Sequence, residues 1–232
     1  MAISSGKNCN KLMTPERYTK LNQVLDRRQP DLTLLTDQVH KPRNIAALIR
    51  NCDAVGIQQM HAVTPAVSHR PFNGTARGSQ QWVDLTMHDS VENGVISLQH
   101  QGFKVVAAHW SSCSINYTDW DYTQPTALLL GAERMGVSAR GAELADAHVI
   151  VPMVGMVASL NVSVAAGIIL QEAQRQRALN GMYEYCRLEE LERSRIFFRW
   201  AYPRIAEVCD QNGQAYPLLD DAGNLIEPWA QG

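Results

Sequence analysis

Three segments of this 232-residue sequence combine special-purpose residues at predicted strand–helix junctions, where a ligand could bind. The first spans residues 40–56, in which Asn44 precedes an apolar helix face and Gly56 follows it. Asn44 is a favoured helix N-cap and Gly56 a favoured helix terminator. Arg50 lies away from most of the apolar face, one turn before Asp53. An ordinary Arg50–Asp53 surface pair is the simpler interpretation of that spacing.

The second segment, residues 128–137, is an apolar strand that runs into a glycine-flanked loop containing Glu133. Gly131 would let a ligand approach the backbone closely, and Gly136 would permit a tight turn. The spacing matches neither the phosphate-binding loop nor the dinucleotide-binding glycine motif. An ordinary strand–helix loop with a solvated Glu133 is the alternative interpretation.

The third segment, residues 149–167, passes from an apolar strand through a loop rich in Gly, Met and Val into a helix. Ser159 and Asn161 lie at the start of that helix, where capping alone would explain either residue. Polar caps beside so apolar a loop suit an uncharged planar ligand such as adenine. Ligands of open α/β sheets bind in the loops that follow the carboxyl ends of the strands, which is where all three segments are predicted to lie.

Apolar runs alternate with helical patterns, which predicts an α/β domain built on a mainly parallel sheet. The predicted strands are Leu32–Leu35, Met60–Val63, Trp82–Leu85, Lys104–Ala108, Thr126–Leu130 and His148–Val151. The predicted helices are Pro15–Arg28, Ile45–Val55, Val91–Gln101, Ala139–Ala145, Leu160–Leu179 and Tyr183–Ile205. Residues 210–232 are acidic and turn-rich, and we expect a loop or a partly ordered tail there. The expected parts are a basic helical extension (1–30), a core domain (31–181), and a helical extension with an acidic tail (182–232).

The composition is that of a soluble globular protein, with 45% hydrophobic and 19% charged residues. It excludes a disordered chain, a collagen-like repeat and a small disulfide scaffold. The five cysteines are scattered and form no CxxC pair, so we expect neither a disulfide framework nor a zinc site. Neither a secretory segment nor a run of about 18 apolar residues is present. We therefore expect a cytoplasmic protein that does not span a membrane.

The formal net charge of −2 hides a strongly uneven distribution of charge along the chain. Residues 1–50 carry a net charge of +5 and residues 171–205 one of +2, whereas residues 51–170 carry −4 and residues 206–232 carry −5. Such asymmetry indicates an anionic partner near the basic parts. Solvated helix faces explain the same count equally well.

Together, in this order and spacing, the three segments resemble the signature motifs of the SPOUT class of methyltransferases, in its SpoU (TrmH) branch. The matching residues are NxxxxxR at Asn44–Arg50, LGxExxG at Leu130–Gly136, and IVPMxGxxxSLNVSVA at Ile150–Ala165. The similarity extends to residues 27–33 before the core and 172–183 after it, and covers the chain from about residue 15.

The resemblance implies the SPOUT methyltransferase fold, with a C-terminal deep trefoil knot that is a rare exception to the unknotted rule. It also implies a homodimer that binds S-adenosylmethionine in the knot and tRNA at its surface, without metal, DNA or membrane. The implied reaction moves a methyl group to the ribose 2′-hydroxyl of a guanosine, expected at position 18 of the D-loop. S-adenosylhomocysteine is the product that remains.

The resemblance also assigns roles to individual residues. Arg50 would stabilise the developing alkoxide across the dimer, beside the cofactor of the other subunit, with a nearby phosphate taking part in proton removal. Asn44 would fix Arg50 or the ribose, Glu133 would orient Arg50 or Asn161, and Ser159 and Asn161 would close the pocket. The expected cofactor-binding residues are Ala108, Gly131, Val151 and Leu160. The expected tRNA-binding residues are Arg17, Arg27, Arg28, Lys41, Arg43, Arg175, Arg177 and Arg187.

Three departures from the family pattern leave the substrate scope open. Arg43 stands where relatives usually have histidine, Arg77 lies in a commonly small loop, and Ala108 replaces a frequent threonine. Phe72 and Trp82 could stack a base, although Trp82 is more typical of a core residue.

Two alternatives to this function stay open. One is a 2′-O-methyltransferase of another tRNA nucleotide or of rRNA, a branch that generally has a different N-terminal RNA-binding domain. The other is a non-catalytic RNA-binding dimer. The full set of Asn44, Arg50, Glu133, Ser159 and Asn161 weighs against the second.

Overall fold

A fully parallel sheet forms the centre of the computed structural model, which describes residues 12–63, 81–133, 135–227 and 229. The strands are β1 (Leu32–Asp37), β2 (Gln59–Val63), β3 (Asp84–His88), β4 (Lys104–Ala108), β5 (Ile115–Asn116), β6 (Thr126–Gly131) and β7 (Ala147–Ile150). Their order across the sheet is β3-β2-β1-β6-β4-β7-β5. The expected α/β class with a mainly parallel sheet is confirmed.

Helices lie before, between and after the strands along the chain. They are α1 (Pro15–Leu25), α2 (Pro42–Ala54), α3 (Val91–His100), α4 (Ala139–Leu144), α5 (Val162–Leu179), α6 (Glu190–Ala201) and α7 (Pro203–Asn212). None of the helices in the described ranges is long and apolar enough to cross a membrane.

The central strands β1 and β6 are buried on both faces, which explains their nearly continuous apolar sequences. Alternate residues of β1 enter opposite cores. Leu32 and Leu34 pack in the core that also contains residues of α2 and α5. Leu35 packs in the core that contains residues of α3 and α4. Helices therefore cover both faces of the sheet, and only the edges of the sheet and the strand ends remain for binding.

The strand register brings the carboxyl ends of the central strands to one edge. Asp37, the last residue of β1, lies beside Gly131 of β6 and Val63 of β2. Ala108 at the end of β4 pairs with Val149 of β7. The loops that carry the three sequence segments therefore leave the sheet at the same edge.

The structure divides into two compact units. The core unit comprises residues 28–187, and the terminal unit combines residues 1–27 with residues 188–232. Within the terminal unit, Arg193 of α6 donates hydrogen bonds to Asp26 and Asn22, which lie at the end of α1. The two extensions, expected as separate parts of the chain, thus fold together.

One sequence prediction for the C-terminal region is wrong, whereas the expectation of a partly ordered tail agrees with the structure. The single helix predicted over Tyr183–Ile205 is two helices, because Pro203 has no N–H to continue α6 and instead begins α7. Part of the predicted tail is ordered: Leu219 and Leu225 form a β-bridge, and the Tyr202 hydroxyl donates to the carbonyl of Gly223 at 2.8 Å.

A buried pair of histidines joins β2 to the edge strand β3. His61 Nδ1 lies 2.9 Å from His88 Nε2, and the two rings are stacked. Burial, together with the charge of His88, lowers the pKa of His61 from 6.5 to about 4. The folded core unit therefore holds His61 neutral at pH values where the unfolded chain is protonated.

We expect the free energy of unfolding to fall as the pH drops from 6.5 toward 4. In this range His61 binds a proton in the unfolded state but not in the folded state. The expected loss is roughly 1 kcal/mol or more, measured by urea unfolding near neutral pH and near pH 4. His61→Phe should weaken this pH dependence, whereas His100→Phe, at an exposed position, should keep it. Equal pH dependence in both variants would contradict the assignment to His61.

Candidate active site

A cavity of about 590 Å³ lies at the carboxyl ends of β4, β6 and β7. All four residues expected to bind the cofactor line it, namely Ala108, Gly131, Val151 and Leu160. Its volume is within the range of small-molecule sites, about 300–1,000 Å³. Its walls include the apolar side chains of Val149, Val162 and Ile169. The structure therefore brings these four residues to one pocket of suitable size and chemistry.

The chain itself requires a glycine at position 131. A Cβ atom on Gly131 would lie 1.8 Å from the carbonyl carbon of Gly136, because the loop after β6 folds back onto the strand. Ala132 and Gly136 form an antiparallel bridge, and Gly136 has a φ of +68°. The expected tight turn at Gly136 is confirmed. The backbone of residues 136–137 approaches Gly131 closely, and close approach of a ligand to Gly131 stays a prediction.

A chain of polar side chains connects the three sequence segments. Asn44 Nδ2 donates to Glu133 Oε1, and Asn161 Nδ2 donates to Asn44 Oδ1 at 3.3 Å. Asn161 Oδ1 accepts from Ser163 N at 2.9 Å and from Ser163 Oγ at 2.6 Å. Because each amide both donates and accepts, the orientation of every side chain in this chain depends on its neighbour.

Asn44 is not the N-cap of α2. The helix begins at Pro42, since proline is favoured in the first helical turn, and Lys41 takes the cap position without a side-chain hydrogen bond. Asn44 therefore lies inside the first turn, buried, with its amide turned toward Glu133. Asn161, in contrast, does cap α5, and it contacts Asn44 as well. Asn161 therefore both caps α5 and takes part in the hydrogen bonds of the site.

Glu133 is ionised and held in place, which contradicts the alternative of a merely solvated side chain. Its side chain is only 15% exposed, and Lys41 Nζ lies 3.4 Å from Oε1. Burial opposes ionisation, but a backbone hydrogen bond and the charges of Lys41 and His40 outweigh it and lower the pKa of Glu133. A carboxylate is an acceptor only, so Asn44 must direct its N–H toward Glu133 and its oxygen toward Asn161.

Arg50 and Ser159 are both exposed, but only Ser159 lines the cavity. Arg50 lies on α2, where its neighbour Asn51 donates to the carbonyl of Ser163 at 2.7 Å and so joins α2 to α5. Asp53 is paired with the buried guanidinium of Arg28 at 2.7 Å. Of the five expected catalytic residues, the structure joins Asn44, Glu133 and Asn161 and leaves Arg50 on the surface of its helix.

His109 and Trp110 also line the cavity, although they lie outside the three sequence segments, and both follow β4 directly. Met135, in the loop after β6, lines it as well. The rule that ligands bind beyond the carboxyl ends of strands would have found His109 and Trp110, since β4 was predicted with its correct end at Ala108. Within the described ranges, no three His, Cys, Asp or Glu side chains lie close enough together to hold a metal ion.

The predicted tRNA contacts of Arg28 and Arg177 are wrong. Both side chains are 0% exposed, so their guanidinium groups cannot reach a phosphate. Arg28 donates to Asp53 and to the carbonyls of Ile57 and Trp82. Arg177 likewise pairs with Asp31 at 2.6 Å, so each buried guanidinium is neutralised by a carboxylate of the protein.

The other expected tRNA-binding residues lie nearer the surface. Arg17 donates to the carbonyl of Trp200, Arg175 pairs with Glu172, and Arg187, largely buried, pairs with Asp31. Lys41 keeps an exposed ammonium beside Glu133, and Arg27 and Arg43 are exposed. RNA contact by Arg17, Arg27, Lys41, Arg43 and Arg175 stays a prediction. Phe72 and Arg77 lie outside the described residues, and Trp82 is half-buried, outside the buried core.

A parallel sheet covered on both faces, with a pocket at the carboxyl ends of its strands, defines the class of α/β proteins that bind nucleotide-like ligands. Comparison with known families narrows the class. The model of the SpoU rRNA Methylase family matches residues 31–171, and that of the SpoU rRNA methylase C-terminal region matches residues 175–228. The chain belongs to the SpoU methylase family.

Similar proteins cover nearly the whole chain. The tRNA (guanosine(18)-2′-O)-methyltransferase of Escherichia coli is 43% identical over 215 residues, which are 92% of this chain and 94% of that protein. The solved structure of the Aquifex aeolicus TrmH/SpoU tRNA modifying enzyme has a TM-score of 0.76 at 40% identity and covers 82% of this chain and 97% of that one. The SpoU methyltransferase AviRb of Streptomyces viridochromogenes, solved in complex with AdoMet, has a TM-score of 0.55 at 30% identity, over 66% of this chain and 62% of that one.

Proposed function

We propose that this protein transfers the methyl group of S-adenosylmethionine to the ribose 2′-hydroxyl of guanosine 18 in the D-loop of tRNA. The observation that carries the proposal is the polar chain of Asn44, Glu133 and Asn161 at the cavity. A relative over nearly the whole length, with that specificity in its name, supports the same substrate.

The cavity fits S-adenosylmethionine in size and in chemistry. Its apolar walls suit adenine, and Gly131, Val151 and Leu160 would hold the nucleoside, with Ala108 beside them. When bound, the cofactor supplies a methyl group that is already activated on a sulfonium. The protein must therefore supply mainly the alignment and the activation of the hydroxyl.

A ribose hydroxyl is a poor nucleophile until its proton is weakened or removed. The guanidinium of Arg50 stabilises the negative charge that develops on the ribose oxygen. A phosphate of the RNA takes part in removing the proton. The ionised Glu133 orients Asn44 and, through it, Asn161, while Ser159 closes the pocket.

A homodimer with shared active sites completes this proposal. Arg50 is exposed and does not line the cavity, so it acts on the pocket of the partner subunit. The loop before α5 exposes several apolar side chains, which is typical of an interaction surface: Met153, Val154, Met156 and Val157. Mixed dimers of Arg50→Ala and Gly131→Val subunits should regain activity that neither variant has alone. No regain in mixed dimers would argue against sharing.

The remaining parts of the proposal follow from the family. The chain closes a deep trefoil knot around the cofactor site, and the protein works in the cytoplasm on tRNA. Arg17, Arg27, Lys41, Arg43 and Arg175 contact phosphates, which give affinity and register, while the shape of the tRNA selects the substrate.

The decisive experiment incubates the purified protein with methyl-labelled S-adenosylmethionine and unmodified tRNA. We expect label in tRNA, and none when nucleotide 18 carries a 2′-deoxyribose. Label in rRNA fragments or at another tRNA nucleotide would identify the other substrates considered above. Binding of tRNA without any transfer would identify a non-catalytic dimer and would overturn the proposed activity.

Gly131→Ala should weaken S-adenosylmethionine binding roughly tenfold or more, because the new Cβ must displace the backbone of Gly136 from the cavity wall. Titration calorimetry on the folded variant measures the loss. Gly155→Ala is the matched control, since a Cβ there meets nothing within 4 Å. Equal affinities in the two variants would mean that the loop after β6 does not shape the cofactor site.

A further inference from the structure

Trp110 presents its indole to solvent at the rim of the cavity. The residue is 79% exposed, and it lines the pocket together with His109 and the 85% exposed Met135. Leaving so large an apolar surface uncovered is unfavourable unless a ligand or partner covers it. The indole position therefore points to an occupant that arrives at the rim of the cavity.

The loop that carries Trp110 is braced on both sides of the residue. His109 N donates to the carbonyl of Val149 at 3.2 Å, and Ser114 Oγ donates to the carbonyl of His109 at 2.9 Å. Ser111 N donates to Ser114 Oγ at 2.7 Å. These hydrogen bonds fix the backbone on either side of Trp110. The exposure of the indole is therefore a property of the folded loop.

A second layer fixes the same loop. The Ser111 hydroxyl lies 2.8 Å from His148 Nδ1, and His148 Nε2 lies 2.9 Å from the carbonyl of Ala142. The carbonyl can only accept, so His148 Nε2 donates to it. The His148 ring also meets the His109 ring edge-on, with centroids 5.2 Å apart. The loop backbone that carries Trp110 is thus fixed before any partner binds, which lowers the entropy lost on binding.

The surroundings of Trp110 distinguish between possible occupants. Residues 111–114 are Ser, Ser, Cys and Ser, so the indole is one aromatic face in a polar loop. Met135 and Met153 are exposed at the same cavity, so Trp110 supplies the aromatic face of a rim that also carries flexible apolar side chains. An exposed aromatic face beside hydroxyl groups is typical of sites that stack an unpaired RNA base.

We propose that Trp110 is the platform on which the base of the target nucleoside stacks while its ribose hydroxyl faces the cavity. This rests on the proposed function, since methyl transfer to a ribose requires a nucleoside of the substrate at this rim. Every base has a flat face, so Trp110 contributes to the position of the nucleoside and not to the choice of guanine. Trp110 is therefore a substrate-positioning residue.

The test compares Trp110→Ala and Trp110→Phe with Met87→Ala, an exposed apolar control on the edge strand β3, which three strands separate from β4. We expect Trp110→Ala to raise the KM for tRNA roughly tenfold, and Trp110→Phe to raise it less. The affinity for S-adenosylmethionine and the oligomeric mass should not change. Loss of cofactor affinity would assign Trp110 to the cofactor, and a smaller mass would assign it to the subunit interface; either would overturn the proposal.

A tRNA that lacks only the base of nucleotide 18, with its ribose retained, completes a double-mutant cycle. If the indole stacks that base, the wild-type protein should lose affinity on the abasic tRNA, and Trp110→Ala should lose little more. Additive losses would overturn the proposal. Quenching of indole fluorescence by intact tRNA, absent in Trp110→Phe, reports the same contact without turnover, so a failure of methyl transfer remains distinguishable from a failure of stacking.

Discussion

Replacing Arg50 by alanine is expected to reduce methyl transfer to tRNA at least 100-fold, with the affinity for S-adenosylmethionine almost unchanged. The reason is that activation of the ribose hydroxyl and cofactor binding are assigned to different places in the structure. Arg50 is exposed on α2 and lies outside the cavity wall, whereas the residues that would hold the cofactor all lie on it. Single-turnover rates at saturating tRNA and cofactor titrations measure the two quantities separately.

Arg43→Ala is the matched control for Arg50→Ala, because Arg43 is another exposed arginine of α2. We expect Arg43→Ala to raise the KM for tRNA and to leave the turnover number nearly intact, as a phosphate contact should. If Arg50→Ala also changed only the KM for tRNA, Arg50 would be an RNA contact. Loss of cofactor binding in Arg50→Ala would make its role structural.

Arg177→Met is expected to destabilise the protein by about 3–5 kcal/mol, because it removes a buried charge from acceptors that keep their positions. Arg177 donates to the carbonyls of Tyr122 and Gln124 at 2.8 and 3.2 Å, and to Asp31 Oδ1 at 2.6 Å. Burial opposes ionisation of Asp31, but its hydrogen bonds to Arg187 and Arg177 outweigh this and lower its pKa. The melting temperature should fall by about 10 °C or more.

Arg175→Met tests the same chemistry two residues away. Its side chain is 57% exposed and pairs with Glu172 across one helical turn, so the free energy of unfolding should change by less than about 0.5 kcal/mol. Arg175→Met should instead weaken tRNA binding at low salt. The reverse result would be a stable Arg177→Met protein with reduced affinity for tRNA. It would show that Arg177 contacts the RNA and would contradict its burial in the structure.

The fold was largely readable from the sequence because hydrophobic patterns report burial. The prediction for β4 matches its observed bounds, and those for β1, β2 and β6 differ by only one or two residues at an end. The short β5, at Ile115–Asn116, was missed, since two residues carry no recognisable pattern. Such a short strand forms because it pairs with a neighbouring strand that is distant in the sequence. A local sequence pattern carries no information about that pairing.

The sequence predicted site residues correctly where a polar residue type occurs at a characteristic spacing within a motif. Asn44, Glu133 and Asn161 were selected from three separate segments, and the structure joins them by hydrogen bonds. The sequence could not tell an exposed arginine from a buried one, so Arg177 was grouped with Arg175. Helical position alone does not settle that difference, because Asp31, the partner of Arg177, lies 146 residues away.

The buried arginines also change what salt should do to RNA binding. Each cation that meets a phosphate releases condensed counterions, so the dependence of affinity on salt counts the cations at the interface. Arg28, Arg177 and Arg187 are already engaged by carboxylates and carbonyls inside the core unit, and they add nothing to that count. The affinity of the protein for RNA should therefore fall less steeply with added salt than its number of arginines implies.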